Sequence, residues 1–170
     1  NDESYKEIVT EIEKKHLDTL KELIPVSEQS SLLSHLKRIV NHLETLLDGC
    51  FLLGELSPRT EDTILGFGEL LSSFIIAEAL KQKEKNSSYI DSRELIKTNA
   101  NFGKAIVDFD TTNRLVSDYF NANNNQLVVL PGFIASTIDK IPTTLGRGGS
   151  DYTAAIIAAA LNATDLEIWT

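Results

Sequence analysis

The stretch TTLGRGGSDYTAAIIAAAL, residues 143–161, sets one arginine among three glycines, then a serine and an aspartate, then a helix of small residues. Each residue type has a use at the mouth of a helix. The Arg147 guanidinium is a planar fork that matches a carboxylate or a phosphate in bidentate fashion. Consecutive amides at Gly148, Gly149 and Ser150 fall where a helix leaves N–H groups unpaired and its dipole favours an anion. The glycines let a ligand approach the backbone. Two familiar phosphate loops are excluded. A Walker loop requires Lys and then Ser or Thr after its last glycine, where this chain has Ser150-Asp151. A dinucleotide fingerprint requires Gly or Ala in the place of Asp151 and a tight turn straight from a strand. The bland use of Ser150 and Asp151 is as a helix cap, worth about 1 kcal/mol. Asp151 beside an anion would also need a cation. On spacing alone, ligand binding and a mobile capped loop both stand.

A second acid sits on an unusual helix. GFGELLSS surrounds Glu69 with Gly66, Ser72 and Ser73 at three or four residues' distance, so its carboxylate lies on a shallow face. Gly66 and Gly68 each cost a helix interior about 0.8–1 kcal/mol relative to Ala. That cost fits close packing against a neighbouring backbone, with Glu69 paired to a structural base. It also fits a carboxylate turned into a ligand site. His35 and His42 are two turns apart on one helix, with no third ligand at metal spacing and no cysteine partner. They and His16 read as structural or solvated, and no metal site is assigned. Cys50, the single cysteine, follows Gly49 in an apolar run and reads as a buried small hydrophobe.

The elements that must position these groups follow from periodicity. Tyr5, Ile8, Val9, Ile12, Leu17, Leu20, Leu23 and Ile24 make one face of an amphipathic helix that Pro25 ends. A second helix is predicted from near Ser27 to Gly49. A third starts at Pro58 or Thr60 and runs to about Leu80, before the polar KQKEKNSS. The later part reads as α/β. SYIDSREL predicts a short strand and a turn. FDTTNRLVSDYF predicts a helix capped by Asp110 or Thr111. LVVL predicts a buried parallel strand that Pro131 and Gly132 bend or end. With the glycine loop, its helix and a further buried strand in LEIWT, this makes a βαβ unit.

Composition sets the class. The chain has 170 residues, 42% hydrophobic and 24% charged, enough for one domain with a full core. Its net charge of -9, with lysines interleaved among acids, argues against nucleic acid and anionic membranes as partners. No apolar run in the sequence approaches the roughly 20 residues of a membrane span. One cysteine allows no internal disulfide and makes a reducing cytoplasm the default compartment. The start at NDES without methionine leads us to expect a piece of a longer protein.

Together, ELSPRTEDTILGFGELLSS, TNANFGKA, VVLPGFIAS and TTLGRGGSDYTAAIIAAAL followed by LEIWT resemble an aspartokinase of the amino-acid-kinase fold, in the family's order and spacing from Glu55 to Thr170. The resemblance implies a mainly parallel sheet sandwiched by helices, with a helical N-terminal half. It implies transfer of the ATP γ-phosphoryl group to the side chain of L-aspartate with Mg²⁺, at the head of lysine, threonine and methionine synthesis, by a cytoplasmic homo-oligomer. Arg147 would grip a substrate carboxylate, and Gly148, Gly149 and Ser150 would line the aspartate and phosphoryl region. Glu69 would take the substrate ammonium, Asp151 would hold the catalytic lysine, and Thr170 would edge the nucleotide site. Asn99, Asn101 and Gly103 lie in a loop that the family keeps near the substrate pocket, and no role is assigned to them.

The chain also departs from the family. The Lys-Phe-Gly-Gly-Thr-Ser loop that supplies the lysine is absent, and so is the ATP-binding half beyond Thr170. Residues 1–170 are therefore expected to be one partial, aspartate-binding domain, inactive by itself. The rivals are a non-catalytic docking module, which would have no use for Gly66, Gly68 and the arginine-bearing loop, and another acid kinase of the same fold.

Overall fold

The computed structural model describes residues 3–83, 86–123 and 127–169. The three-and-four spacing resolves into helices α1 (Ser4–Leu23), α2 (Gln29–Leu53) and α3 (Pro58–Lys83). Pro25 separates the first two, followed by one 3-10 turn, Val26–Glu28. Helix α2 continues through Gly49 and stops at Gly54, whose φ of +69° is the left-handed conformation that ends helices. Ser57 starts α3: its Oγ accepts from the Thr60 N–H at 3.2 Å, and Pro58 takes the first helical position, where its missing N–H costs nothing. The facing stripes close over one core that contains Leu20, Leu36, Val40, Leu71, Phe74 and Ile75.

Helix α3 has the length and composition of a membrane span, contrary to the sequence expectation that no run comes close. Its apolar side chains are otherwise engaged. Phe67, Leu71, Phe74 and Ile75 are buried inside the protein, and the same helix carries Asp62 and Glu69.

The remainder is α/β: β1 (Ser87–Tyr89), α4 (Ser92–Leu95), β2 (Lys97–Thr98), α5 (Phe109–Ala122), β3 (Leu127–Val129), β4 (Ile134–Thr137), β5 (Pro142–Thr144) and α6 (Gly149–Ala160). Strands β1 and β3 pair in parallel, Ser88 opposite Val128. A second sheet has the order β2-β4-β5, parallel between β2 and β4 and antiparallel between β4 and β5. Ile96, Val107, Ala135, Leu145 and Ile156 form its core. Helix α3 touches β1, β3 and β5 as well as α1 and α2, and so belongs to both halves.

Three sequence expectations change, and one element is new. The cap of α5 is Asp108, not Asp110 or Thr111. Its carboxylate accepts from the Thr111 N–H at 3.1 Å and the Thr111 hydroxyl at 2.7 Å, the three-residue reach of an N-cap. LVVL is a parallel strand, but half-buried rather than fully so. LEIWT is no strand over residues 166–169, where Leu166, Ile168 and Trp169 are exposed, Trp169 by 89%. An apolar run pairs only where a neighbouring strand offers an edge, and no described strand pairs with this one. The β4–β5 hairpin was not foreseen, because its strands are short and rich in Ser, Thr and Pro.

Candidate active site

Helices α3 and α6 meet the turn after β3 around a cleft of about 440 Å³, within the range of small-molecule sites. Glu69, Gly132, Ser150, Thr153, Ala154 and Ile157 line it. Its walls are therefore largely apolar, with one carboxylate and two hydroxyls inside. Glu69 is half-buried, and burial alone pushes its carboxyl above the ordinary 4.5. Its carboxylate has no hydrogen bond or ion pair among the described residues. The Ser72 and Ser73 hydroxyls, one turn on, donate to the Glu69 backbone carbonyl and leave the side chain untouched. The expectation of a structural base paired with Glu69 is thus not met.

Two close approaches shape the cleft. A Cβ on Gly132 would lie 2.9 Å from the Cα of Ser150, so only glycine lets the β3 exit lie on the first turn of α6. A Cβ on Gly149 would lie 2.8 Å from the Phe133 ring. Between them Phe133 holds φ +68°, an outlier for a bulky side chain. Thr153 fixes it: the hydroxyl accepts from the Phe133 N–H at 3.0 Å and donates to the Gly149 carbonyl at 2.8 Å. The Leu145 N–H donates to the Phe133 carbonyl at 2.9 Å. A strained residue held at both its N–H and its carbonyl beside a cleft is typical of sites where backbone geometry serves a ligand.

The residues of the glycine loop take different places. Helix α6 begins at Gly149 with Gly148 (φ +75°) as its N-cap, and no side chain caps it. Ser150 and Asp151 sit in the first turn, so the capping role open to them in the sequence is not the one they play. Asp151 is exposed there, on the side of the dipole that favours an acid. The Gly149 N–H donates to the Gly146 carbonyl at 3.0 Å, which removes it from the row of open amides. Arg147 and Gly148 are exposed on the loop, and the Arg147 guanidinium has no partner among the described residues. The structure brings Glu69 and Ser150 into one cleft; Arg147, Gly148 and Asp151 stand beside it at the mouth of α6, not in its wall. Thr170 lies outside the described residues.

The other expected residues have local roles. His16 Nδ1 bonds the Ile12 carbonyl at 2.7 Å, His35 stacks on Phe74 and bonds Arg38, and His42 packs edge-on against Phe67. Cys50 is half-buried, not fully buried. A larger cavity, about 670 Å³, opens between α4, α5 and the β4–β5 hairpin and includes Arg93, Lys97, Arg114 and Lys140. None of the candidate site residues read from the sequence lines it. Its buried Lys97 is spent on the Arg93 carbonyl (2.6 Å) and the Ser136 hydroxyl (3.0 Å).

Sequence reasoning missed Asp62. This residue is 2% exposed, and its carboxylate accepts from the Gly103 N–H, the Thr144 N–H and the Thr144 hydroxyl at 2.8–3.0 Å. A signal existed: Asp62, Gly66 and Glu69, at i, i+4 and i+7, share one helix face.

The whole chain, residues 1–170, matches the amino acid kinase family. It is 31% identical over 170 residues to a bifunctional aspartokinase/homoserine dehydrogenase 2 (chloroplastic) of Arabidopsis thaliana, covering 99% of this chain and 19% of that protein. It is 37% identical over 138 residues to the lysine-sensitive aspartokinase 3 of Escherichia coli, covering 78% of this chain and 31% of that protein. The structure superposes on E. coli aspartokinase III in complex with aspartate and ADP (R-state) with a TM-score of 0.90 and 30% identity, over 100% of this chain and 37% of that one. Against the same enzyme with lysine and aspartate (T-state) the TM-score is 0.66 over 91% of this chain and 40% of that one, at 31% identity. The chain spans about a fifth to a third of the length of these curated relatives.

Proposed function

This chain belongs to the amino acid kinase family, and from that premise we propose that the complete protein is an aspartate kinase. It transfers the ATP γ-phosphoryl group to the side-chain carboxylate of L-aspartate, giving 4-phospho-L-aspartate, the first step toward lysine, threonine and methionine. The observation that carries this reading is Glu69: a half-buried carboxylate with no partner among the described residues, facing Ser150 across a cleft of small-metabolite size. A group of that kind calls for a cation, and the ammonium of an amino acid supplies one.

In this reading the described residues build the acceptor side of the reaction. Glu69 binds the substrate ammonium, and the Arg147 fork takes a substrate carboxylate from the loop at the cleft edge. Ser150, with the amide of Gly148, lines the region where the phosphoryl group arrives; Gly149 contributes there as the residue small enough to sit under Phe133. Asp151 orients a catalytic lysine supplied by another part of the protein. Catalysis of this type is mostly positioning and charge neutralisation, which is what such a constellation provides.

ATP and Mg²⁺ are proposed for the complete protein. Among the described residues no three His, Cys, Asp or Glu side chains gather as a metal group, and Thr170 is the single residue of this chain assigned to the nucleotide. Residues 1–170 are proposed as a partial domain, inactive as a separate polypeptide, and the complete protein as a cytoplasmic homo-oligomer.

The test is aspartate-dependent ADP release by the complete protein, with the acyl phosphate trapped by hydroxylamine. Turnover with aspartate supports the assignment. Turnover with a different carboxylate acceptor and none with aspartate would assign another acid kinase of the same fold.

A further inference from the structure

Asp62 is a buried carboxylate with no cation against it. Among the described residues it forms no ion pair, and its two oxygens are met by donors from two other segments. The Gly103 N–H is shared between both oxygens at 2.9 Å each. The Thr144 hydroxyl reaches Oδ1 at 2.8 Å, and the Thr144 N–H reaches Oδ2 at 3.0 Å. A charge buried this deeply persists only where hydrogen bonds replace its lost water.

What those bonds connect gives them a function. Thr144 is the last residue of β5, and Leu145-Gly146-Arg147-Gly148 follows it directly. Gly103 holds φ +81° in the loop that also abuts the glycine segment: a Cβ on Gly146 would stand 3.2 Å from the Gly103 carbonyl. The Ala105 N–H donates to the Thr144 carbonyl at 3.0 Å and closes the same junction from the other side. Leu145 continues the anchor, buried in the sheet core with its N–H on the Phe133 carbonyl, and the exposed Arg147 and Gly148 follow before α6. Asp62 thus clamps the root of the arginine-bearing loop to α3. Glu69 stands seven residues further along the same helix and the same face, about 10.5 Å at 1.5 Å per residue.

Building on the aspartate-kinase reading, we propose that Asp62 is a positioning residue: by holding Thr144 and Gly103 it sets the separation between the Arg147 guanidinium and the Glu69 carboxylate. One rigid helix acts as the ruler, with a clamp at one end and the ammonium-binding acid two turns away. The clamp touches no substrate. Its loss lets the loop root drift and loosens the grip on the amino-acid substrate, while nucleotide contacts outside this chain are untouched.

The experiment compares wild type, Asp62→Ala, Asp62→Asn and Thr144→Val in the complete protein, by steady-state kinetics in both substrates with circular dichroism and melting alongside. Asp62→Ala is expected to raise the aspartate KM by about tenfold to a hundredfold and to leave the ATP KM within about twofold. Asp62→Asn keeps one carbonyl for the two amides and can turn its NH₂ to the Thr144 hydroxyl, so it should recover most of the loss; Thr144→Val should fall between. A folded Asp62→Ala protein with an unchanged aspartate KM overturns the proposal. If that variant does not fold, unchanged aspartate KM values in both Asp62→Asn and Thr144→Val overturn it on the same comparison. A wild type without aspartate-dependent turnover overturns the functional reading and this proposal with it. An active wild type with insensitive variants overturns this proposal alone.

Discussion

Gly132 and Ser150 are in backbone contact: there is no room for a Cβ on Gly132, because it would stand 2.9 Å from the Ser150 Cα and 3.0 Å from its Cβ. The obstacle is main chain, which cannot swing away as a flexible side chain can. Gly132→Ala should therefore push the first turn of α6 outward and cost about 1–3 kcal/mol, as overpacking does. In the complete protein the aspartate KM should rise with it. Chemical denaturation and a substrate titration check both; an unchanged midpoint would mean that the turn and α6 are not in contact.

Helix α3 offers the opposite case beside a control. A Cβ on Gly68 meets nothing within 4 Å, whereas one on Gly66 would stand 3.2 Å from the Ile134 Cγ2. Gly68→Ala should stabilise the protein by about 0.8–1 kcal/mol, the ordinary gain of Ala over Gly in a helix. Gly66→Ala should gain less or lose, as Ile134 has to give way. Urea unfolding of the two variants side by side reads the difference.

Arg147 has no side-chain partner among the described residues, so its removal should leave the fold alone. Arg147→Ala in the complete protein is expected to raise the aspartate KM by about tenfold or more, the worth of a charge-assisted bond to a carboxylate. The ATP KM and the melting temperature should stay near wild type. Equal losses for both substrates would remove Arg147 from the acceptor site.

Glu69 should couple function to stability through pH. Its folded carboxyl is held above the ordinary 4.5 by burial. The unfolded chain then releases this proton first as pH rises, and the folded state follows later. The contribution to stability is thus complete below 4.5 and is lost as pH climbs through the raised folded value. Glu69→Gln removes that penalty. Its melting temperature should match wild type at about pH 4 and exceed it at about pH 7, while its aspartate KM rises. Thermal melts at the two pH values settle the sign. Asp108 acts the other way, since its bonds to Thr111 hold its carboxyl low; the cap is intact above the ordinary Asp range and fails as pH falls through the lowered value.

The glycine loop, its small-residue helix and the three amphipathic helices were legible because each follows from a local rule: spacing, caps or the residues a turn demands. What stayed hidden depends on distant partners. Asp62 looks in the sequence like any solvated acid on a helix, because its donors arrive from Gly103 and Thr144, 41 and 82 residues away. The β4–β5 hairpin gives no glycine signal at its turn, since Lys140 occupies the φ +63° position there. In LEIWT, apolar composition permits a strand and says nothing of whether an edge waits for it. The Gly149 amide is open by its place in the sequence and closed by the Gly146 carbonyl, a bond that only the fold of the turn reveals.

Helix α3 is one rod that gives side chains to the helical core and lies against the sheet. The Leu71–Ile75 stretch is sealed among α1 and α2, and the Asp62–Gly66 stretch lies against β4 and β5. Neither module can therefore melt privately: a break in one strips the lining from the other, and the two should come apart as a single thermodynamic block. Whatever quiets the cleft face of that rod is felt further along it, where α1 and α2 close over Leu71 and Ile75.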